Sequence, residues 1–205
     1  AMKKSSILIL IIICLVGCKK GSNETTITGE IKGLGTDTLY LYGMDELYDR
    51  IDTIYVENDK FSYTTSVDTI TSAYLLLKNR IEYPVFLDKG NKIKIKGDTI
   101  NLNFLTISGN IYNEEFTDFQ KALEDPADPS EKAGEETVDK RITVEKANTA
   151  EEMAEEFILQ HHSSYVSLYL LDKYFVQKET PDFSKIKKLV EVMTGVLQDK
   201  PYIER

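Results

Sequence analysis

Tryptophan is missing altogether, and cysteine, histidine and proline are scarce, at two, two and five among 205 residues. Each shortage excludes something. Cys14 lies inside an apolar leader and Cys18 at its end, so the body of the chain has no C-x-x-C pair, no cysteine spacing for a metal and no thiol nucleophile. It also cannot close an internal disulfide. The two histidines, His161 and His162, are adjacent. Neighbouring side chains on a helix point about 100° apart, so this pair does not chelate one metal as an i, i+4 pair does. No carboxylate stands at E-x-x-H spacing before either histidine, and no G-x-S-x-G is present. Gly33-Leu34-Gly35 lacks the third glycine and helix of a phosphate-binding loop.

A basic excess is missing too. Lys and Arg number 25 against 34 acids, a formal charge of −9. That balance excludes a nucleic-acid partner, whose phosphates require a basic footprint, and adhesion of the protein face to an anionic membrane surface. No apolar run is long enough to span a bilayer: the longest, residues 7–16, falls well short of the roughly 20 residues a membrane helix needs.

What that run does have is the right company. Lys3 and Lys4 precede it, and Leu15-Val16-Gly17-Cys18 ends it, which is the three-part layout of a secretory signal. The last four residues resemble a bacterial lipobox. The resemblance implies diacylglyceryl transfer to the Cys18 thiol, cleavage after Gly17 and acylation of the new amino terminus. Several acyl chains, at roughly 0.8 kcal/mol per buried methylene, make such an anchor durable. Removing residues 1–17 as a signal peptide leaves 188 residues with a charge near −11, since Lys3 and Lys4 go with it. Residues 18–24 then form a short lipid-anchored tether.

From residue 25 the pattern is one of short β-branched and aromatic runs between turn signals, and about eight strands are expected within residues 25–108. Ile27, Gly29 and Ile31 alternate before Gly33, and Leu39 to Tyr42 resume the pattern, which reads as a hairpin. Ile54 and Val56, the turn Glu57-Asn58-Asp59-Lys60, then Phe61 and Tyr63 read as a second hairpin. Pro84 belongs at a strand start or on an edge. The expected fold class is α+β, an N-terminal antiparallel β-sandwich-like domain followed by a helical region.

After Gly109 the period changes. Asn113 reads as an N-cap, with Phe116, Phe119 and Leu123 at helical spacing, so residues 25–123 form the β domain with a closing helix. Residues 124–148 are acidic and weakly apolar, and read as a linker. Residues 149–205 form a helical region: Met153, Phe157 and Ile158 mark one apolar stripe, residues 165–176 are apolar nearly all round, and Pro181-Asp182 opens a last helix ended by Pro201.

Three stretches resemble one family. Val56-Glu57-Asn58-Asp59-Lys60-Phe61-Ser62-Tyr63 is similar to its turn-plus-strand unit, Phe86-Leu87-Asp88-Lys89-Gly90-Asn91-Lys92-Ile93 to its strand pair, and Ile107-Ser108-Gly109-Asn110 with Asn113 to its closing motif. The family is the domain of unknown function that precedes the thioredoxin-like module in Bacteroides-type envelope lipoproteins of the TlpA/ResA class. Residues 157–169, with Ser163-Ser164-Tyr165-Val166-Ser167, resemble the linker that follows it. The resemblance implies a redox domain carrying a C-x-x-C pair. These 205 residues contain no such pair, so that chemistry falls on none of them.

Candidate chemistry in the body is sparse. Glu151-Glu152 and Glu155-Glu156 read as a solvated acidic face, since no Asp-rich calcium loop is present. Asp45, Asp49 and Asp52 around Tyr48 outline a loop that a glycan site or glycosidase would use, without the spacing that would decide it. Tyrosine is abundant, at 12. Tyr40 and Tyr42 fall on one side of a strand, opposite Leu39 and Leu41, and are the candidate ligand surface for a sugar or peptide. An ordinary half-exposed strand face is the plainer account of them. The expectation is therefore a non-catalytic, cofactor-free, lipid-anchored cell-envelope module of the outer membrane, the recognition or spacer part of a thioredoxin-like lipoprotein. The alternative is a free-standing lipoprotein binding a glycan or peptide.

Overall fold

The computed structural model describes residues 23–44, 46–124 and 150–193. The signal segment, Gly17, Cys18, most of the tether, Asp45, nearly all of the acidic linker and Pro201 lie outside them.

Eight strands form one sheet: β1 (Glu24–Lys32), β2 (Asp37–Gly43), β3 (Ile51–Glu57), β4 (Lys60–Ser66), β5 (Thr71–Leu76), β6 (Glu82–Leu87), β7 (Lys92–Asp98) and β8 (Thr106–Ser108). A 3₁₀ turn, Lys78–Arg80, joins β5 to β6. The order across the sheet is β6-β5-β2-β3-β4-β1-β7-β8. The expected α+β class holds, but the sandwich is replaced by this single, nearly closed sheet. Nor is the sheet wholly antiparallel, because β1 runs parallel to β7 from Thr26↔Lys92 to Lys32↔Asp98. The β3–β4 hairpin forms as expected, with Asn58 and Asp59 both at positive φ as a tight two-residue turn requires. The β1–β2 hairpin does not form. β1 instead pairs antiparallel with β4, from Glu24↔Ser66 to Glu30↔Lys60.

Alternation builds the interior. Ile27, Ile31, Leu39, Leu41, Ile54, Val56, Leu75, Ile93 and Ile95 all point inward and are fully buried. Gly29 shares that inner face, opposite Phe61, and the Phe61 ring occupies the space a Cβ at Gly29 would need. Two bulky residues cannot face each other there, so one strand supplies the ring and the other makes room for it.

Four helices follow, with their labels in chain order: α1 (Ile111–Glu124), α2 (residues 150–160), α3 (Tyr165–Leu171) and α4 (Phe183–Val192). The N-cap of α1 is Asn110, not Asn113: the Asn113 N–H donates to Asn110 Oδ1 at 3.0 Å and the Glu114 N–H to the Asn110 carbonyl at 3.2 Å. Before it, Gly109 sits at φ 112°, with the Lys92 carbonyl where a side chain would go. That close approach brings α1 down onto the sheet.

Helix α1 lies across the seam between the two edges of the sheet. Asn113, freed from capping and buried, accepts the Phe86 N–H of β6 at 3.0 Å and donates to the Phe86 carbonyl at 2.8 Å. One turn on, Thr117 accepts the Ile107 N–H of β8 and donates to its carbonyl, both at 3.0 Å. A third bridge is Tyr83, whose hydroxyl donates to the Leu105 carbonyl at 2.9 Å and accepts its N–H at 3.1 Å. Side chains thus stand in, at Phe86 and Ile107, for the strand that would close the barrel.

Helix α3 packs outside β5 and β6, with Tyr169 against Tyr74 and Phe116 at ring-centroid distances of 6.5 and 5.2 Å. All seven of its residues are buried, as the all-round apolar pattern requires. It ends in a π-helical turn, Asp172–Val176, closed by the Gln177 N–H on the Asp172 carbonyl at 3.0 Å. Asp182 caps α4, accepting the Lys185 N–H at 3.1 Å.

Candidate functional site

Gly17 and Cys18 lie outside the described residues, so the site is built from the body of the chain. Strand alternation puts Tyr40 and Tyr42 on the outer face, as expected, with Leu39 and Leu41 buried behind them. Tyr40 is 41 % exposed, and Ile51 and Tyr55 of the neighbouring strand are 72 % and 73 % exposed. Tyr42 is spoken for: its hydroxyl donates to Glu82 of β6 and its ring lies 5.8 Å from Tyr74. Burial first, then the Glu82 carboxylate, holds the Tyr42 hydroxyl well above the usual tyrosine range. The two residues therefore differ, one presenting a ring and the other joining the face to its neighbour.

That neighbour is a slot of about 320 Å³ at the start of β6, walled by Glu82, Pro84, Phe104, Gln120, Tyr169 and Lys173. A ladder of rings, Tyr42 to Tyr74 to Tyr169, leads from the strand face into it. Burial pushes the Tyr74 hydroxyl up to about 12, with Asp172 and Glu82 adding to it, so it stays a donor at any physiological pH. Both carboxylates on the slot wall are held by neutral donors, Glu82 by Tyr42 and Glu124 by Asn101 Nδ2 at 2.6 Å. Lys173 is the cation there. It comes off the π-helical turn, a geometry that recurs at functional sites. The residue as a whole is exposed, but its ammonium is crowded by the Tyr169 and Tyr174 rings, 5.6 and 5.5 Å from their centroids. Desolvation draws it below the usual lysine range. Among the described residues Lys173 has no ion pair.

Glu82, Tyr74, Tyr169 and Lys173 escape a reading of the sequence. The one signal was Asp172-Lys173, two charges inside an apolar helical stretch where nothing else polar interrupts residues 168–176.

The Asp49–Asp52 loop is a structural knot. The Tyr48 hydroxyl donates to Asp52 and lies 3.0 Å from Thr65 Oγ1, while Arg50 stacks 4.4 Å over the Tyr48 ring. Arg50 also donates to Asp52 at 3.1 Å and to the Ser66 carbonyl at 2.9 Å. Asp52 is thus engaged by Tyr48 and Arg50, and Asp45 lies outside the described residues.

The histidines resolve likewise. His161 Nδ1 lies 3.3 Å from Glu115, and Ser164 donates to the same carboxylate, so the acid sits between imidazole and hydroxyl. That is not the order of a Ser–His–acid triad, in which the imidazole stands between serine and acid. Glu151 and Glu155 are not a bare acidic face, since Glu151 pairs with Lys178 and Glu155 with Lys185 at 2.6 and 2.7 Å. Among the described residues no group of three or more His, Cys, Asp and Glu is placed to hold a metal ion.

Fold and site together define an α+β protein: an eight-stranded, mixed, nearly closed sheet whose seam is clasped by a helix and whose outer face leads into a tyrosine-walled slot. Residues 25–116 match a family described as Domain of unknown function (DUF4369), a span that runs from β1 through the whole sheet and ends in α1 just past Asn113. No curated protein and no solved structure matches the chain.

Proposed function

We propose that the chain is a non-catalytic, lipid-anchored module of the cell envelope, held in the outer membrane through Cys18, which presents a recognition surface away from the bilayer. It serves as the recognition or spacing part of a thioredoxin-like lipoprotein system. The observation that carries this reading is the polarity of the sheet. Glu24, the first residue of β1, follows Cys18 by six peptide steps, a reach of about 20 Å at full extension. The β6–β7 turn sits at that same end, since the Thr26 N–H donates to the Asn91 carbonyl at 3.0 Å. The start of β6, and with it the slot, lies at the other end of the sheet, a strand length of about 20 Å further out.

The placing of Glu115 between His161 and Ser164, and the spent carboxylate of Asp52, support a binding role over a hydrolytic one. The exposed rings of Tyr40 and Tyr55 favour a second reading, a free-standing lipoprotein that takes a glycan or peptide on that face. The anchor is tested by Cys18→Ala. The variant is expected in the soluble fraction after cell disruption, and its persistence in the membrane pellet would reject the anchor. The second reading is tested on a glycan array with and without Tyr40→Ala. Binding that survives the substitution counts against that face.

A further inference from the structure

We infer that the slot at the start of β6 is a peptide site, which takes an extended chain as an added strand with its terminal carboxylate at Lys173. The inference rests on the recognition reading above, though not on the lipid anchor. Its first support is main-chain geometry. In an antiparallel pair, residues alternate between exchanging hydrogen bonds with the partner and facing away from it. The Leu77 N–H donates to the Ile81 carbonyl at 2.8 Å, and β5 pairs with β6 through Leu75↔Tyr83 and Ala73↔Val85. Residues 81, 83, 85 and 87 therefore bond to β5, and Glu82, Pro84 and Phe86 turn their main-chain groups to the seam. Proline at position 84 agrees, because its missing N–H is not needed there.

At Phe86 those seam-facing groups are met by Asn113 and by Asn110, whose Nδ2 donates to the same carbonyl at 2.8 Å. Two and four residues earlier no described residue replaces them. Gln120, the side chain of α1 nearest that level, is turned to the Asn103 carbonyl at 3.3 Å. The Glu82 N–H and the Glu82 and Pro84 carbonyls are thus left on the slot wall without a partner among the described residues. One donor and two acceptors in strand register are what an extended peptide pairs with when it augments a sheet edge.

The second support is the state of Lys173. Glu82 and Glu124 keep their charge but are each engaged by a neutral donor rather than by Lys173, which among the described residues is the wall's one cation and has no carboxylate partner. An ammonium crowded by rings gains more from an incoming carboxylate than one in open water does. The Tyr169 and Phe104 rings supply apolar walls for the side chain nearest that carboxylate.

The test is selection of a random heptapeptide library, displayed with free carboxyl termini, against the purified protein, followed by fluorescence anisotropy on the enriched peptides. Binding is expected to weaken about tenfold or more on amidation of the peptide terminus and in Lys173→Gln, and to be unchanged in Tyr40→Ala. Lys173→Gln alters an exposed residue, and an unchanged far-UV circular dichroism spectrum would show that the variant folds. Failure to enrich any peptide, or enriched peptides indifferent to both amidation and Lys173→Gln, would overturn the site. Peptides lost instead in Tyr40→Ala would also overturn it, while leaving the recognition reading standing on the strand face.

Discussion

Asp52 shows how one carboxylate can hold a loop to a sheet. Burial alone would raise its pKa, but hydrogen bonds from Tyr48, Arg50 and Tyr63 outweigh that and hold it below the usual carboxylate range. A folded-state pKa below the unfolded one means stabilisation that is fully present above the ordinary aspartate value, about 3.9, and is lost as pH falls through the lower folded value. Asp52→Asn is therefore expected to cost about 2 kcal/mol near neutrality, where the bonds from Tyr48, Arg50 and Tyr63 lose their anionic acceptor and the Arg50 ion pair is lost. The same substitution should flatten the acid limb of the stability curve. Urea denaturation at a series of pH values checks both. An acid limb as steep in Asp52→Asn as in the wild type would assign the loss to other carboxylates. Tyr48, raised well above its ordinary range first by burial and then by Asp52, stays protonated throughout and keeps donating.

At the scale of elements, the strands were legible and their neighbours were not. Alternation of Ile27 with Ile31, Leu39 with Leu41 and Ile93 with Ile95 states which face of a strand is buried, and all of these are buried. It says nothing about which strand lies alongside, so Gly33-Leu34-Gly35 looked like a hairpin turn although β1 goes to β4 and β7. Asn113 departs from the expected cap for a related reason. An asparagine before an apolar helical run is the ordinary sign of a cap, and only the nearness of β6, a long-range fact, makes it more useful inside the helix. Tyr40 and Tyr42 could be placed on one face from spacing alone. Lys173 could not be placed, because the slot exists only where α1, α3 and β6 converge.

The clasp made by α1 also yields a prediction at this scale. Thr117→Val keeps the shape of the side chain but leaves the Ile107 N–H and carbonyl buried without their partner, and should cost about 2 kcal/mol, whereas Thr117→Ser keeps the hydroxyl and should cost clearly less. Asn113→Ala orphans the Phe86 N–H and should cost about 2–3 kcal/mol. Urea denaturation measures all three. A Thr117→Val cost within about 0.5 kcal/mol, the level of an ordinary surface change, would mean that packing and not these bonds holds the seam.

For the molecule as a whole, the question is whether the sheet with its clasping helix α1 and the later helices α2–α4 are one cooperative unit. The contacts that join them are largely aromatic: Tyr112 lies 5.3 Å from Tyr165, Phe116 5.2 Å from Tyr169, and Phe119 5.7 Å from Phe157, each pair edge to face. Tyr169 is central, since it touches the sheet through Tyr74 and α1 through Phe116 and also walls the slot. Edge-to-face pairs add about 0.5–1.5 kcal/mol each beyond the area they bury. Removing the ring forfeits two of them together with a large buried side chain. Tyr169→Ala is thus expected to lower global stability by about 3–5 kcal/mol. If the halves fold as one, far-UV ellipticity, reporting the helices, and tyrosine fluorescence, reporting rings on both sides of the interface, will shift to lower urea together and still coincide. If ellipticity instead falls at lower urea while part of the fluorescence change keeps the wild-type midpoint, the sheet is a self-sufficient body. The β6 edge and its slot would then lose the Tyr169 and Lys173 wall before the fold itself gives way.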